Sequence, residues 1–512
     1  MPNSLRHHLL PGRIPGPQDL GCGSAALTLS ITSTRNPVPV RLLDSFDGTL
    51  HHSGRLLLES AGTLHLFGPR ASLSQPAGGG GLVSELPEGP VQQVLKQLCP
   101  LRRLLTQAEG RLTRHNLRAA RRGRPRGALT VYGVETPRGT ASLLCSQLKG
   151  RKAAPALDRH LKALRAEPAA PAALFALLVP DRPRYSAKPV LPLSPGQPAH
   201  EAAGRILAAH LAAARQNEPG IISDLDTEFL HDYRIALRRI RALLSGLKDV
   251  LPAEDAARLR RDLKALMTQT NGLRDLDVWL LEQDRFRAML PASLHPGLSA
   301  LFAAIRARRA ACQRELAARL GGAAYRWHMA GLTAEAAAAR PQGSGAALPA
   351  GALARQLIAR RHAKLCRAAA RITAQSPDAE IHALRIGCKK LRYLMELFAP
   401  LFPAAELSQA LKPLKRLQER LGRFNDCAQQ QATLLELAAR GLTTPKGKSD
   451  SAEAKAALAA GAMIALLHKE QQAARARLGE RLDAFTSSAA QARVLTLCNG
   501  GCAAQAPARR NR

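Results

Sequence analysis

The chain has 512 residues, 46% hydrophobic but only 3% aromatic, and its 74 Lys and Arg outnumber 39 Asp and Glu for a net charge of +35. That apolar content excludes a disordered polyanion sponge, and a chain of this length is expected to fold as roughly two to four units. Cations in such excess send a positive field into solvent, suited to nucleic acid, anionic lipid or a polyphosphorylated chain.

The opening stretch MPNSLRHHLLPGRIPGP lacks the apolar core of a secretory signal, and residues 1–23 are expected to be disordered. Residues 24–190 are richer in Gly, Pro, Ser, Thr and Val and read as a smaller α+β domain. Short apolar alternations LTLSI, VPVRLL, RLLLES and TLHLF, with turns at Asp47-Gly48 and Gly62, predict strands. PVQQVLKQL and LRRLLTQAEGRL read as helical, GALTVYGVE returns to strand, and a helix follows near 156–165. The Pro-dense stretch 180–199 contains the linker, placed at 191–199.

From residue 200 the pattern is helical almost without break, dominated by Ala, Leu, Arg and Glu. Pro252, Pro291 and the polar stretch 443–451 interrupt it, and the linker 339–350 divides it into similar halves, 200–338 and 351–487. A flexible tail is expected at 488–512. The fold class is therefore mainly α, a duplicated helical bundle behind the smaller domain. Nine scattered cysteines without a C-x-x-C pair fit reduced thiols in a cytoplasm. With no apolar run long enough to span a bilayer, membrane insertion is not expected.

The halves repeat each other. His231-x-x-Arg234-x-x-x-Arg238-Arg239-x-Arg241 returns as His382-x-x-Arg385-x-x-x-Lys389-Lys390-x-Arg392, 151 positions later throughout, and the same offset relates Asp275 to Asp426. At about 100° per residue, His231, Arg234, Arg238 and Arg241 share one helical stripe, with a twin in His382, Arg385, Lys389 and Arg392. Arg239 and Lys390 flank the stripes, and Tyr233, Leu237, Ile240, Leu244 and Leu247 form a separate apolar face. Such a cationic row suits an external polyanion. The competing reading pairs the cations with Asp262, Asp275, Asp277, Glu396 and Asp426, and makes each histidine a hydrogen-bonded core residue. Asp275 and Asp426 read as helix N-caps or as acids orienting a stripe arginine.

These motifs, together with R-D-L-D-V and L-K-x-L-x-x-x-L-G-x-x-N-D, resemble the conserved histidine α-helical domain, CHAD, over about 200–487. The resemblance implies two pseudo-symmetric four-helix-type halves forming a basic groove for inorganic polyphosphate, and a place at polyphosphate granules. Carried over position by position, the polyphosphate-binding residues are His231, Arg234, Arg238, Arg239, Arg241, His382, Arg385, Lys389, Lys390 and Arg392, joined by Lys264, Arg274 and Lys415. One departure is Asn271, where the second half has Gly422. LLDSFDGTLHHSGRLLLES and RPRYSAK give 24–190 a resemblance to the CYTH β-barrel domain. Where that family places metal-holding carboxylates, this chain has the hydroxyls of Thr28, Ser30 and Thr32, so the domain is expected to be catalytically silent.

No cofactor, metal or catalytic residue is expected. Nucleic acid, bound non-specifically on the same surface, is the first alternative, although neither stripe interleaves the aromatics that base stacking needs. A phosphoester hydrolase using His231 or His382 is the second, and no nucleophile motif supports it. Histidines lining the site should make binding tighten as pH falls towards 6.

Overall fold

The computed structural model describes residues 5–500 except 24–26, 80, 150–152, 183–184, 339–340, 342, 344 and 440–449. The expected loop at 443–451 lies largely outside them. The chain divides into two compact units at Ser186 and Ala187.

The first unit is one antiparallel sheet of ten strands: β1 (Leu5–Pro11), β2 (Cys22–Gly23), β3 (Thr28–Asp44), β4 (Leu56–Ser60), β5 (Thr63–Phe67), β6 (Ser72–Pro76), β7 (Leu105–Arg121), β8 (Arg124–Thr136), β9 (Gly139–Leu148) and β10 (Glu167–Pro168). Hydrogen bonding runs in the order β10-β1-β9-β8-β7-β3-β4-β5-β6, with β2 on β3. Among the described residues no pairing joins β10 to β6 to close this path into a barrel. Helices α1 (Pro17–Leu20), α2 (Thr49–His52), α3 (Pro90–Leu98), α4 (Ala153–Ala163) and α5 (Ala172–Leu178) complete the unit. Leu157 and Leu161 of α4 join one sheet face in a buried cluster with Leu129, Val131 and Leu144. Leu174 and Phe175 of α5 join the other, with Val134, Ala141 and Leu143.

Two expectations fail here. Residues 1–23 include β1, which pairs with β9 from Leu5↔Gln147 to Pro11↔Ala141. Its buried pair His7 and His8 hides the apolar alternation by which a strand is recognised. Leu105–Arg121 is a strand, although its Leu, Gln, Ala, Glu and Arg content favours a helix. Pairing with β3 on one side and β8 on the other satisfies its backbone and overrides propensity. The β4–β5 turn is as read: Ala61 and Gly62 both take positive φ, 48° and 68°, as a two-residue hairpin requires.

The second unit is helical. Its first half holds α6 (Ala199–Ile222), α7 (Thr227–Leu244), α8 (Ala253–Gln269), α9 (Asn271–Leu281), α10 (Gln283–Met289), α11 (His295–Gly321) and α12 (Ala323–Ala338). The second holds α13 (Ala350–Ala369), α14 (Asp378–Leu397), α15 (Ala404–Ala439), α16 (Asp450–Ala476), α17 (Leu478–Thr486) and α18 (Ser488–Asn499). α18 is no flexible tail: it buries Ala490, Val494 and Leu497 and packs on α13 and α15.

The 151-residue repeat has a structural counterpart at the start of each half. The Ala199 amide donates to the Leu348 carbonyl and the Ala350 amide to the Gln197 carbonyl, both at 2.8 Å, around the bridge between Pro198 and Pro349. Exchange of the halves leaves this pattern unchanged, as a two-fold axis demands. The apolar face read from the sequence is the core: Tyr233, Leu237, Ile240, Leu244 and Leu247 are fully buried. A second core joins the halves, where Trp279 stacks on Phe286 with ring centroids 5.2 Å apart, and both cluster with Cys427, Leu434 and Met463. Gly297 of α11 lies so close to the Lys455 carbonyl of α16 that a Cβ there would collide with it.

Candidate polyanion site

The two basic helices begin with different start signals. Asp226 caps α7 by accepting from the amides of Glu228 (3.0 Å) and Phe229 (3.3 Å). α14 follows Pro377 and places Asp378 and Glu380 in its first turn, where the helix dipole favours them. α7 and α14 pack on each other, so cations from the two halves meet.

They do not all face outwards. Arg234 is 8% exposed and donates to the Met267 carbonyl at 3.0 Å and to Asn271 Oδ1 at 2.8 Å, with the Thr270 hydroxyl as a third acceptor. Burial, helped by Arg238 and Arg274, lowers it to about 10. Arg239 is 2% exposed and donates to Glu396, lying 5.7 Å from the Tyr393 ring centroid. Neither reaches a ligand on the surface, so both leave the set of candidate binding residues and become structural. Arg392 donates to Glu396 Oε1 (2.7 Å) and Gln418 Oε1 (3.1 Å), and Arg385 donates to Asp426 Oδ1 at 2.9 Å. The competing reading therefore holds for part of the stripe, through Glu396 and Asp426. Asp277 is taken by Arg309, which is outside the stripes.

Among the described residues, Arg238, Arg241, Lys389, Lys390, Lys264, Arg274 and Lys415 form no ion pair. Lys264 and Lys415 are exposed, and Arg238, Arg241, Arg274, Lys389 and Lys390 are half-buried. Lys389 sits at the meeting point. Burial, then Arg385, Arg238 and Arg392, bring its ammonium down to about 8, with Asp426 acting the other way. Arg274 is also lowered by burial, while Glu228 and Asp277 oppose the shift. Burial raises Asp275 and Asp426, against the nearby cations. Both carboxylates lie inside helices, not at N-caps, and Asp426 orients Arg385.

The two histidines differ. His382 is exposed and its Nδ1 is hydrogen-bonded to Asn425 Oδ1, whereas His231 is half-buried. Asn271 holds Arg234, so its exchange for Gly422 in the second half separates a buried arginine from Arg385, whose side chain is 15% exposed and held by Asp426. Sequence reasoning missed Arg361 and Lys364 of α13, which lie beside Lys390 together with Arg241. The 151-residue offset, applied to α6 and α13, sets Arg361 against His210 and would have singled it out.

In the sheet unit, Thr28, Ser30 and Thr32 lie on an exposed side of β3, and the Thr32 hydroxyl donates to the Asn116 carbonyl at 3.0 Å. Arg182 closes that unit by donating to Asp44 Oδ2 (3.0 Å) and the Ser45 carbonyl (2.6 Å). Among the described residues no helix is long and apolar enough to cross a membrane.

No curated protein matches the sequence. Among solved structures, the CHAD domain from the plant Ricinus communis is similar at 26% identity and a TM-score of 0.48, covering 58% of this chain and 96% of that one. PptA from Streptomyces chartreusis is similar at 19% identity and a TM-score of 0.41, covering 56% and 99%. The family model for the CHAD domain matches residues 205–435, which include both basic helices and the repeat that relates them. Residues 205–435 are a CHAD domain, of a family associated with polyphosphate binding.

Proposed function

We propose that the protein binds inorganic polyphosphate in a basic groove where α7 and α14 meet. The observation that carries this reading is the approach of Lys389 to Arg238, one cation from each half, with Arg385 and Arg392 alongside and Asp426 as the nearby acid. Cations held that close repel one another. A dense linear polyanion removes the repulsion and releases its counterions. The binding set is Arg238, Arg241, Lys389 and Lys390, with Arg385, Arg392, Arg274, Lys264, Lys415 and His382 around it and His231 at the start of α7. Arg forks and Lys ammonium groups both match phosphate oxygens.

The protein acts as a binding module without a catalytic residue, in the cytoplasm and at polyphosphate granules. The sheet unit is a CYTH-like fold in which β3 supplies hydroxyls in place of metal-holding carboxylates. Tyr393, the aromatic beside the stripe, is engaged by Arg239, which favours polyphosphate over stacked nucleic acid bases.

Filter-binding competition tests the reading. Long-chain polyphosphate displaces RNA at equal phosphate concentration, and failure to displace it would favour nucleic acid. The purified protein releases no orthophosphate from long chains. Release abolished by substituting both His231 and His382 would make it a hydrolase. A fluorescent fusion forms foci only in cells that contain polyphosphate.

A further inference from the structure

The two ends of the α7–α14 contact are related by the repeat, yet their chemistry is opposite. At one end His210, Arg239, Arg392, Tyr393 and Glu396 come together. At the other stand the residues 151 positions away: Arg361, Lys390, Arg241, Ala242 and Ser245.

The first end is closed and neutralised. Glu396 accepts from both Arg239 and Arg392, the Tyr393 ring packs on Arg239, and His210 is fully buried beside them. Burial, then Arg239, lowers His210 to about 4, so it stays uncharged. The second end has lost each neutralising part. Serine replaces the glutamate, alanine replaces the tyrosine, and an arginine replaces the neutral histidine. Lys364 of α13 adds one more cation, where the first half has Ala213. Arg361, Arg241 and Lys364 all bear on Lys390, and Arg361 donates to Ser245 Oγ at 2.9 Å. Among the described residues no carboxylate pairs with any of the four cations, and Arg241, Ser245, Arg361 and Lys390 are half-buried.

We infer that this second end is a discrete anion site, in which a phosphate group takes the place that the Glu396 carboxylate holds at the first. With Arg361 on the serine and Arg241 and Lys364 around Lys390, these four cations suit a multiply charged tetrahedral oxyanion better than a carboxylate. The anion links α7, α13 and α14 as Glu396 links α7 to α14, so occupancy stabilises the bundle. Arg241 and Lys390 also belong to the proposed polyphosphate-binding set, so the inference rests on that reading and deepens it by adding Arg361, Lys364 and Ser245. Free orthophosphate and the end of a polyphosphate chain present the same group, and the experiment separates them.

The test follows the thermal midpoint of the full chain during titration with orthophosphate and, separately, with long-chain polyphosphate. Orthophosphate raises the midpoint saturably in the unaltered protein. Ser245→Glu supplies the missing carboxylate, raises the midpoint without phosphate and weakens the orthophosphate response at least roughly tenfold. Lys364→Gln, at an exposed position, weakens it several-fold and decides the matter if Ser245→Glu does not fold. Arg238→Glu combined with Lys389→Glu weakens polyphosphate binding by a larger factor than it weakens the orthophosphate response. A chain end is the occupant if polyphosphate protects Ser245→Glu less than the unaltered protein and orthophosphate does so only weakly. The inference fails if orthophosphate gives no saturable shift and polyphosphate protects all variants alike, or if Ser245→Glu and Lys364→Gln respond as the unaltered protein does. An orthophosphate response lost in Ser245→Glu, in a protein that ignores long chains, would leave this site standing and overturn the proposed function.

Discussion

Arg239 of α7 and Glu396 of α14 form a buried ion pair between the two halves of the bundle, with side chains 3% and 18% exposed. A buried guanidinium that loses its carboxylate keeps its desolvation cost and has no compensating charge. Glu396→Gln is therefore expected to destabilise the fold by about 3–5 kcal/mol, read as a lower denaturant midpoint with unchanged slope. A loss below about 1 kcal/mol would mean that the pair behaves as an exposed one.

Arg238 and Lys389 come from different halves and bear on one another. Reversing the charge of both is expected to weaken polyphosphate binding far more than reversing either, because one groove is then lined by two opposed acids. Each removed phosphate contact should also flatten the plot of log affinity against log salt by about one unit. Small additive losses would indicate two separate patches.

The pH dependence has a definite sign. Lys389 in the free protein lies near 8, chiefly through burial and next through Arg385, Arg238 and Arg392. A bound polyanion favours the ammonium and raises that value, so binding takes up a proton. The contribution is complete below pH 8 and disappears as pH rises through the higher value of the complex, so affinity falls between about 8 and 10. Lys389→Arg is expected to hold its affinity over that range. For the unliganded fold the sign is opposite: unfolding returns the lysine to its ordinary value, so stability from this group grows as pH rises above 8. Calorimetric titration in buffers of different ionisation enthalpy measures the proton uptake. Its absence at pH 8.5 would remove Lys389 from the site.

Tyr325 lies between Tyr233 and Glu218, its hydroxyl 3.0 Å from that of Tyr233 and donating to Glu218 Oε1 at 2.8 Å. Burial raises Glu218 above the ordinary carboxylate range. Tyr325→Phe leaves buried polar atoms without partners and is expected to cost about 1–3 kcal/mol. Polyphosphate affinity below the melting range should not change.

Gly297→Ala tests the contact between halves at the far core. Its Cβ meets the Lys455 carbonyl, a backbone atom that cannot rotate away. A loss of several degrees in thermal midpoint is expected from strain of about 1–3 kcal/mol, and a neutral substitution would show that α11 and α16 slide easily.

The helical half of the fold was legible because its pattern is strong. Period, proline punctuation and a constant offset placed α7 and α14 and their buried faces. What the sequence could not show was direction within the stripe. Arg234 and Arg385 occupy the same repeat position, yet Asn271 draws one inwards and Asp426 holds the other near the surface, a distinction set by partners on other helices. β7 was misread for a similar reason, since its composition is helical and only two strand neighbours make it extended. The disordered start was misread because buried histidines look like surface residues in a list of letters. Lys364 escaped notice because it has no cationic counterpart in the repeat.

The crossed hydrogen bonds around Pro198 and Pro349 are those of a symmetric dimer written into one chain. In a true homodimer every interface residue occurs twice, so a change that removes an acid from one end removes it from the other. Fusion lifts that constraint. A single polypeptide can keep a glutamate as a permanent internal counterion at one end and leave serine at the other, becoming polar from end to end. Two identical subunits meeting on their two-fold axis could not encode that asymmetry.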